Sequence, residues 1–191
     1  MAKPTNRIVV PVISTKMEYA LFVSNGGSLV TDDPGAYGTI DFDNYTNTHQ
    51  SKNIGGRLGF FILPEMEIGY ALEYCANVTP SGSDVADAKA VIQSVDLNFT
   101  HSMDLGHFDL RSQWAFNAVD NVTYDPTGAG GFGPVALDNS RNGGYVQAAY
   151  RPSNAKSSFV SKLEGVVRYD EINLPTGAPE GVNESRMTYG I

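Results

Sequence analysis

The sequence predicts an all-β chain: an antiparallel up-and-down meander that forms a transmembrane β-barrel or part of one. Three observations predict it. Apolar residues recur at every second position in run after run. The best runs are about ten residues long, near the roughly 9–11 that a tilted strand needs to cross a bilayer and above the soluble mean of about 5–6. The connections alternate between long polar loops and tight turns, the asymmetry of outer-membrane barrels.

The clearest pair of runs covers residues 53–75. Ile54, Gly56, Leu58, Phe60 and Ile62 alternate with Asn53, Gly55, Arg57, Gly59 and Phe61. After Leu63-Pro64-Glu65, Met66, Ile68, Tyr70, Leu72 and Tyr74 alternate with Glu67, Gly69, Ala71, Glu73 and Cys75. Two such runs across a short proline-containing break make an antiparallel hairpin. One face is aliphatic and aromatic and the other mixes charge with glycine, as in a wall between lipid and water.

The other elements follow in chain order. Residues 1–15 read as a lead-in or partial strand, because Pro11 breaks their apolar run. Residues 16–191 read as a β-barrel segment of about eight strands. Met17, Tyr19, Leu21 and Val23 open it, and a polar loop follows to residue 51, with Asp32-Asp33-Pro34-Gly35 and Asp41-Phe42-Asp43-Asn44 as turn chemistry. Residues 77–87 form the next loop. Val95, Leu97 and Phe99 then alternate with Asp96, Asn98 and Thr100, and a turn is expected at 102–106. Phe108, Leu110, Trp114 and Phe116 alternate with Asp109, Arg111, Gln113 and Asn117. A glycine-rich loop is expected over 119–142, a strand over 145–151 and a turn over 152–158. Leu163, Gly165, Val167 and Tyr169 alternate with Lys162, Glu164, Arg168 and Asp170. A loop over 171–183 leads to a last strand from Arg186.

Composition narrows the function classes. A net charge of −8 and a pI of 4.7 argue against a nucleic-acid partner, which needs clustered Lys and Arg. No apolar run is long enough for a transmembrane helix. The single cysteine, Cys75, makes neither an internal disulfide nor a metal site by itself. No apolar signal segment follows Met1, so the chain is expected to be a cut-out segment or to have lost its leader.

No chemistry-bearing constellation stands out. Asp32, Asp33, Asp41 and Asp43 lack the spacing of an EF-hand. His49, His101 and His107 lack zinc-ligand spacing, and Cys75 has no base near it in sequence. Gly128-Ala129-Gly130-Gly131-Phe132-Gly133 precedes no helix, so it is not a phosphate cradle. No catalytic residue, cofactor or metal is expected, and the chain is not expected to be an enzyme.

The order of motifs carries a resemblance. Tyr19-Ala20-Leu21-Phe22-Val23-Ser24-Asn25-Gly26 is followed by an Asp/Asn-rich loop, Gly55-Gly56-Arg57-Leu58-Gly59-Phe60, and the 66–74 run after Pro64. Gly144-Tyr145-Val146-Gln147-Ala148-Ala149-Tyr150-Arg151 and the run ending Val167-Arg168-Tyr169-Asp170 come later. Over residues 17–191 this resembles the bacterial porins related to phosphate-selective porins O and P. The resemblance implies an interior segment of an outer-membrane barrel of about sixteen to eighteen strands, usually a homotrimer. The lysine-rich lumen of a phosphate-selective member is absent, so the general channel role carries over and phosphate selectivity does not.

The expected function is passive diffusion of small hydrophilic solutes and ions across the bacterial outer membrane, with the lipid bilayer as partner. Arg57, Glu67, Glu73, Asp96, Asp109, Arg111, Glu164, Arg168 and Asp170 are the expected pore-lining residues, joined by Glu18, Arg151, Lys162 and Arg186. Acidic loops over the mouth imply a weak preference for cations. The rival is a soluble all-β carbohydrate-binding module with Tyr37, Tyr45 and Phe132 as sugar platforms.

Overall fold

A computed structural model of the protein describes residues 16–42, 51–131, 133–153, 159–179 and 181–191; the lead-in expected at 1–15 lies outside them. The strands are β1 (Lys16–Ser24), β2 (Ser28–Leu29), β3 (Ile40–Asp41), β4 (Asn53–Leu63), β5 (Met66–Cys75) and β6 (Ala90–Met103). They continue with β7 (Gly106–Val119), β8 (Thr123–Tyr124), β9 (Val135–Ala136), β10 (Ser140–Pro152), β11 (Gly165–Asn173) and β12 (Glu184–Gly190). The helical structure among the described residues is one 3₁₀ turn, Val160–Lys162.

The eight long strands form one antiparallel sheet in the order β1-β4-β5-β6-β7-β10-β11-β12. Each pairs with its long neighbour in sequence, which is the expected meander. The sheet is open, because no pairing joins β1 to β12 among the described residues. The small strands make two separate hairpins, β2 with β3 and β8 with β9, inside two of the long loops.

Register sorts the two faces. Tyr19, Leu58, Tyr70, Val95, Trp114 and Gly144 stand side by side across six strands. One residue along, Glu18, Gly59, Gly69, Asp96, Gln113, Tyr145, Asp170 and Arg186 form a row on the opposite face. Leu58, Phe60, Ile68, Tyr70, Leu72, Leu97, Leu110, Trp114 and Val167 all fall on the first face. Its side chains are left open: Leu21 at the edge keeps 83% of its surface and Leu72 in the middle keeps 42%.

The buried apolar cluster lies elsewhere, at the long-loop end. Cys75, Ala90 and Val119, at the ends of β5, β6 and β7, pack with Leu29, Tyr37, Val78, Val85, Ala88, Tyr124 and Leu137 from the loops. Cys75, Ala90 and Val119 belong to the polar-face set by register. The loops therefore fold over the end of the polar face, not the apolar one. Loops expected to be solvated polar segments instead hold the described chain's buried core.

Several boundaries differ from expectation. β6 and β7 run on to Met103 and from Gly106, leaving Asp104-Leu105 as the turn. Polar Ser102 and His107, which suggest a turn, simply continue the polar face. β10 begins at Ser140 and so takes in Gly143 and Gly144. A Cβ on Gly144 would stand 2.6 Å from the Trp114 ring, so glycine here makes room for the indole. β11 extends to Asn173, two residues past the expected start of its loop.

Between β4 and β5, Phe61 pairs with Glu67 while Leu63 pairs with Met66, so Ile62 is an extra residue. That bulge raises local twist just before the Pro64-Glu65 turn. The faces make a direct expectation for neighbours on β5. Leu72→Arg places a charge on the apolar face and, were that face turned to lipid, would cost roughly 2–4 kcal/mol. Glu73→Gln keeps an acceptor for Asn53 Nδ2, now 3.0 Å away, and should cost under about 1 kcal/mol. Denaturant unfolding from lipid vesicles measures both; equal losses would contradict a lipid-facing Leu72.

Candidate functional site: the charged face of the sheet

The polar face is built by alternation, and its charges pair along the sheet. Arg57 on β4 is the centre of the larger cluster. Its Nη1 donates to Glu18 Oε1 on β1 at 2.7 Å, and its Nη2 donates to Glu67 Oε1 on β5 at 2.7 Å. Nη2 also reaches Asp96 Oδ1 on β6 at 2.6 Å, while Nε reaches Asp96 Oδ2 at 3.4 Å. One guanidinium thus ties four strands, using the planar fork that suits carboxylates. The Glu67 and Asp96 side chains keep only 16% and 15% of their surface, so these contacts are partly shielded from water.

Two glycines make the arrangement possible. A Cβ on Gly59 would lie 2.6 Å from Glu67 Oε1 and 2.8 Å from Glu18 Cγ. A Cβ on Gly69 would run into the Asp96 carboxylate and the Arg57 guanidinium. The long side chain lies in the space these residues leave open.

A second cluster occupies β10–β12. Arg168 and Asp170 are two apart on β11 and share a face, with Nη2 2.7 Å from Oδ1. Arg186 on β12 approaches Asp170 Oδ2 at 3.5 Å, and the Arg168 guanidinium sits 3.8 Å above the Tyr145 ring. Asp109 and Arg111 repeat the same two-residue pairing on β7 at 2.9 Å. Glu73 accepts from Asn53 Nδ2 at 3.0 Å and Ser24 Oγ at 3.5 Å.

Arg57, Glu67, Glu73, Asp96, Asp109, Arg111, Arg168 and Asp170 therefore share one face. Glu164 and Lys162 lie in the connection ahead of β11, which begins at Gly165, and the Glu164 carboxylate still acts electrostatically on Arg111 of this face. Leu163 happens to fall in step with the strand, which carried the apparent period too far. Register adds Lys16, Arg141 and Glu184, which the sequence reading left out. Arg141 sits in an Asn/Gly-rich stretch whose period of two is diluted by its small residues. With these changes acids and bases balance on the face. Glu18, Glu67, Glu73 and Asp96 lie on β1–β6 with Lys16 and Arg57, and Arg111, Arg141, Arg151, Arg168 and Arg186 lie on β7–β12 with Asp109, Asp170 and Glu184.

The long loop after β1 crosses the end of this face. Arg141 donates to the Gly38 carbonyl at 2.8 Å and the Tyr37 carbonyl at 3.2 Å, and Asn139 Nδ2 donates to Gly38 O at 3.0 Å. Gly38, at φ +84°, turns the chain there. Tyr37 stacks on Tyr124 at 5.2 Å and is 3% exposed, so it cannot serve as an open sugar platform. Tyr45 and Phe132, the other two platform candidates, lie outside the described residues. Burial first, and then the carboxylates of Asp125, Asp84, Asp32 and Asp33, hold the Tyr37 hydroxyl above its ordinary pKa. Acidic groups from three loops therefore gather at this end. Among the described residues no group of three or more His, Cys, Asp or Glu could hold a metal ion.

Removing the Arg57 tie has a definite signature. Arg57→Gln leaves three carboxylates facing one another and should cost roughly 1–3 kcal/mol at low salt, with part regained as salt screens the repulsion. Gly69→Ala should also destabilise, without any change of charge, by displacing the guanidinium. Denaturant unfolding of both variants at low and high salt checks this. An Arg57→Gln protein as stable as the unaltered chain at low salt would rule out the tie.

No family model, no curated protein and no solved structure matches this chain. Its functional reading rests on its own geometry.

Proposed function

We propose that this chain forms wall strands of an outer-membrane β-barrel pore that passes small hydrophilic solutes and ions. The observation that carries the reading is the pair of unlike faces: bulky apolar side chains left open on one, paired charges on the other. A soluble two-layer protein would bury the apolar face against a second layer. A barrel in a bilayer turns it to lipid and its polar face to water.

The border of the apolar face supports the same reading. Tyr70 donates to Gln93 at 2.9 Å, Trp114 Nε1 to Asn142 at 3.3 Å, and Tyr169 to Glu171 at 3.0 Å. Aromatic rings with hydrogen-bonded polar tips suit a membrane–water interface. Gln93 and Asn142 both stand across from Phe116, whereas Glu171 comes two residues before Asn142's own partner, Asn173, on β11. The border thus cuts obliquely across the hydrogen-bond rows. A flat membrane surface does that where strands are tilted, roughly 35–45° in barrels.

In this reading β1 and β12 need partner strands on their open sides, because unpaired backbone is costly in lipid. The long-loop end is the mouth, and its aspartates draw cations. The paired, balanced wall adds little preference. Cation selectivity should therefore be weak and fade with salt; the reversal potential of the assembled pore in a KCl gradient measures it, and a chloride-dominated sign would overturn it.

Trp114, the chain's only tryptophan, gives the test of the pore reading. In reconstituted vesicles its fluorescence should be quenched by lipids brominated along their acyl chains and spared by aqueous iodide. Quenching by iodide alone would place the apolar face in water and remove the reading.

A further inference from the structure

We propose that Asn25 is a site of self-modification: the folded chain carries it through a cyclic succinimide to aspartyl and isoaspartyl residues, with Lys52 assisting. The triplet Asn-Gly-Gly occurs at 25–27 and again at 142–144. The reaction needs an asparagine whose side-chain carbonyl carbon can be reached by the next backbone nitrogen. Glycine in that next place opposes the approach least, because it has no Cβ. The structure makes the two copies unlike.

The first copy lies where a ladder stops. Ser24 and Asn53 are the last cross-strand partners of β1 and β4, so Asn25 and Lys52 meet just beyond them. Both are exposed, and Lys52 Nζ donates to Asn25 Oδ1. The Gly26 N–H donates to Ser24 Oγ at 3.2 Å, and that hydroxyl donates to Glu73 Oε1 at 3.5 Å. The second copy is enclosed. Asn142 and Gly143 sit inside β10, with β7 paired on one side and β11 on the other. Asn142 Oδ1 accepts from Trp114 Nε1 at 3.3 Å and from Asn173 Nδ2 at 3.1 Å. An extended backbone held by two ladders does not turn its amide toward the preceding side chain.

Each group around Asn25 has a part in the reaction. The Gly26 nitrogen forms a bond to Asn25 Cγ as its proton passes to Ser24 Oγ and on toward Glu73. The carbonyl electron pair moves onto Oδ1, where the Lys52 ammonium stabilises the negative charge. The pair then returns, the Cγ–Nδ2 bond breaks, and Nδ2 takes up a proton and departs as ammonia. Water opens the succinimide at either carbonyl. Water enters and ammonia leaves, and nothing is oxidised or reduced.

The product alters the root of the first long loop. It sets a carboxylate beside Lys52 where a neutral amide stood. An isoaspartyl link also adds a carbon to the main chain directly ahead of Gly26. That glycine is seated so closely on Asn53 that a Cβ there would overlap the Asn53 side chain. The loop that reaches Arg141 through the Gly38 carbonyl then starts from a shifted base. This proposal needs the fold and not the pore reading.

The test is incubation of the folded chain in zwitterionic micelles at mildly alkaline pH, sampled over time. Peptide mapping by mass spectrometry follows amide loss, and isoaspartyl-specific enzymatic methylation follows the rearranged link. In the folded chain Asn25 should convert about tenfold or more faster than Asn142, whose amide the ladders hold away. In denaturant the two share one triplet and should convert at similar rates. Lys52→Gln should slow folded Asn25 about two- to fivefold, the worth of an exposed charge contact, and Lys52→Arg should not. Asn25→Gln, whose longer side chain closes the larger ring poorly, should remove the signal and so fix its position. Equal conversion of Asn25 and Asn142 in the folded chain, conversion of Asn25 only after unfolding, or an unchanged rate in Lys52→Gln would each overturn the proposal.

Discussion

One constraint governs this chain: a long sheet with an apolar face that nothing in the described protein covers. In ordinary domains a sheet is stabilised by a second layer packed on that face. Here the open face runs from Leu21 on β1 to Met187 on β12. Strand length, the apolar middle of this face and the hydrogen-bonded tips of Tyr70, Trp114 and Tyr169 all answer to it. The meander answers to it too, because neighbour-to-neighbour pairing satisfies the backbone without help from another layer.

The polar face then has to solve its electrostatics within a single layer. Salt bridges run sideways between strands, as from Arg57 to Glu18, Glu67 and Asp96, or along one strand at a spacing of two, as in Asp109–Arg111 and Arg168–Asp170. Glycine becomes a packing residue here. Gly59 and Gly69 are not weak points in β4 and β5 but the space in which a long charged side chain lies flat.

Much of this was legible in the sequence, because a period of two states which residues share a face before any partner is known. Met17 through Val23, the 53–75 hairpin and the Phe108–Phe116 run fell on their observed faces. Alternation failed where side chains are too small or too polar to show it. Ser140 and Asn142 belong to β10 yet read as loop, Gly143 and Gly144 fell outside the expected strand, and Arg141 was lost with them. It also ran past the strand, carrying Lys162 and Glu164 into β11, which begins only at Gly165. The pairings were not legible at all. Which acid meets Arg57 depends on register between strands, and the packing of Leu29, Tyr37 and Tyr124 depends on loops meeting across the sheet. Neither leaves a periodic trace.

That loop packing bears on how the chain assembles. The β4–β5 and β6–β7 hairpins join residues close in sequence, so they close with little loss of chain entropy. Gly38 meets Asn139 and Arg141 across 101 and 103 residues. Those contacts have no surface to form on until β4, β5, β6, β7 and β10 stand side by side. Docking of the first long loop is therefore a late event in folding, one that reports completion of the sheet beneath it.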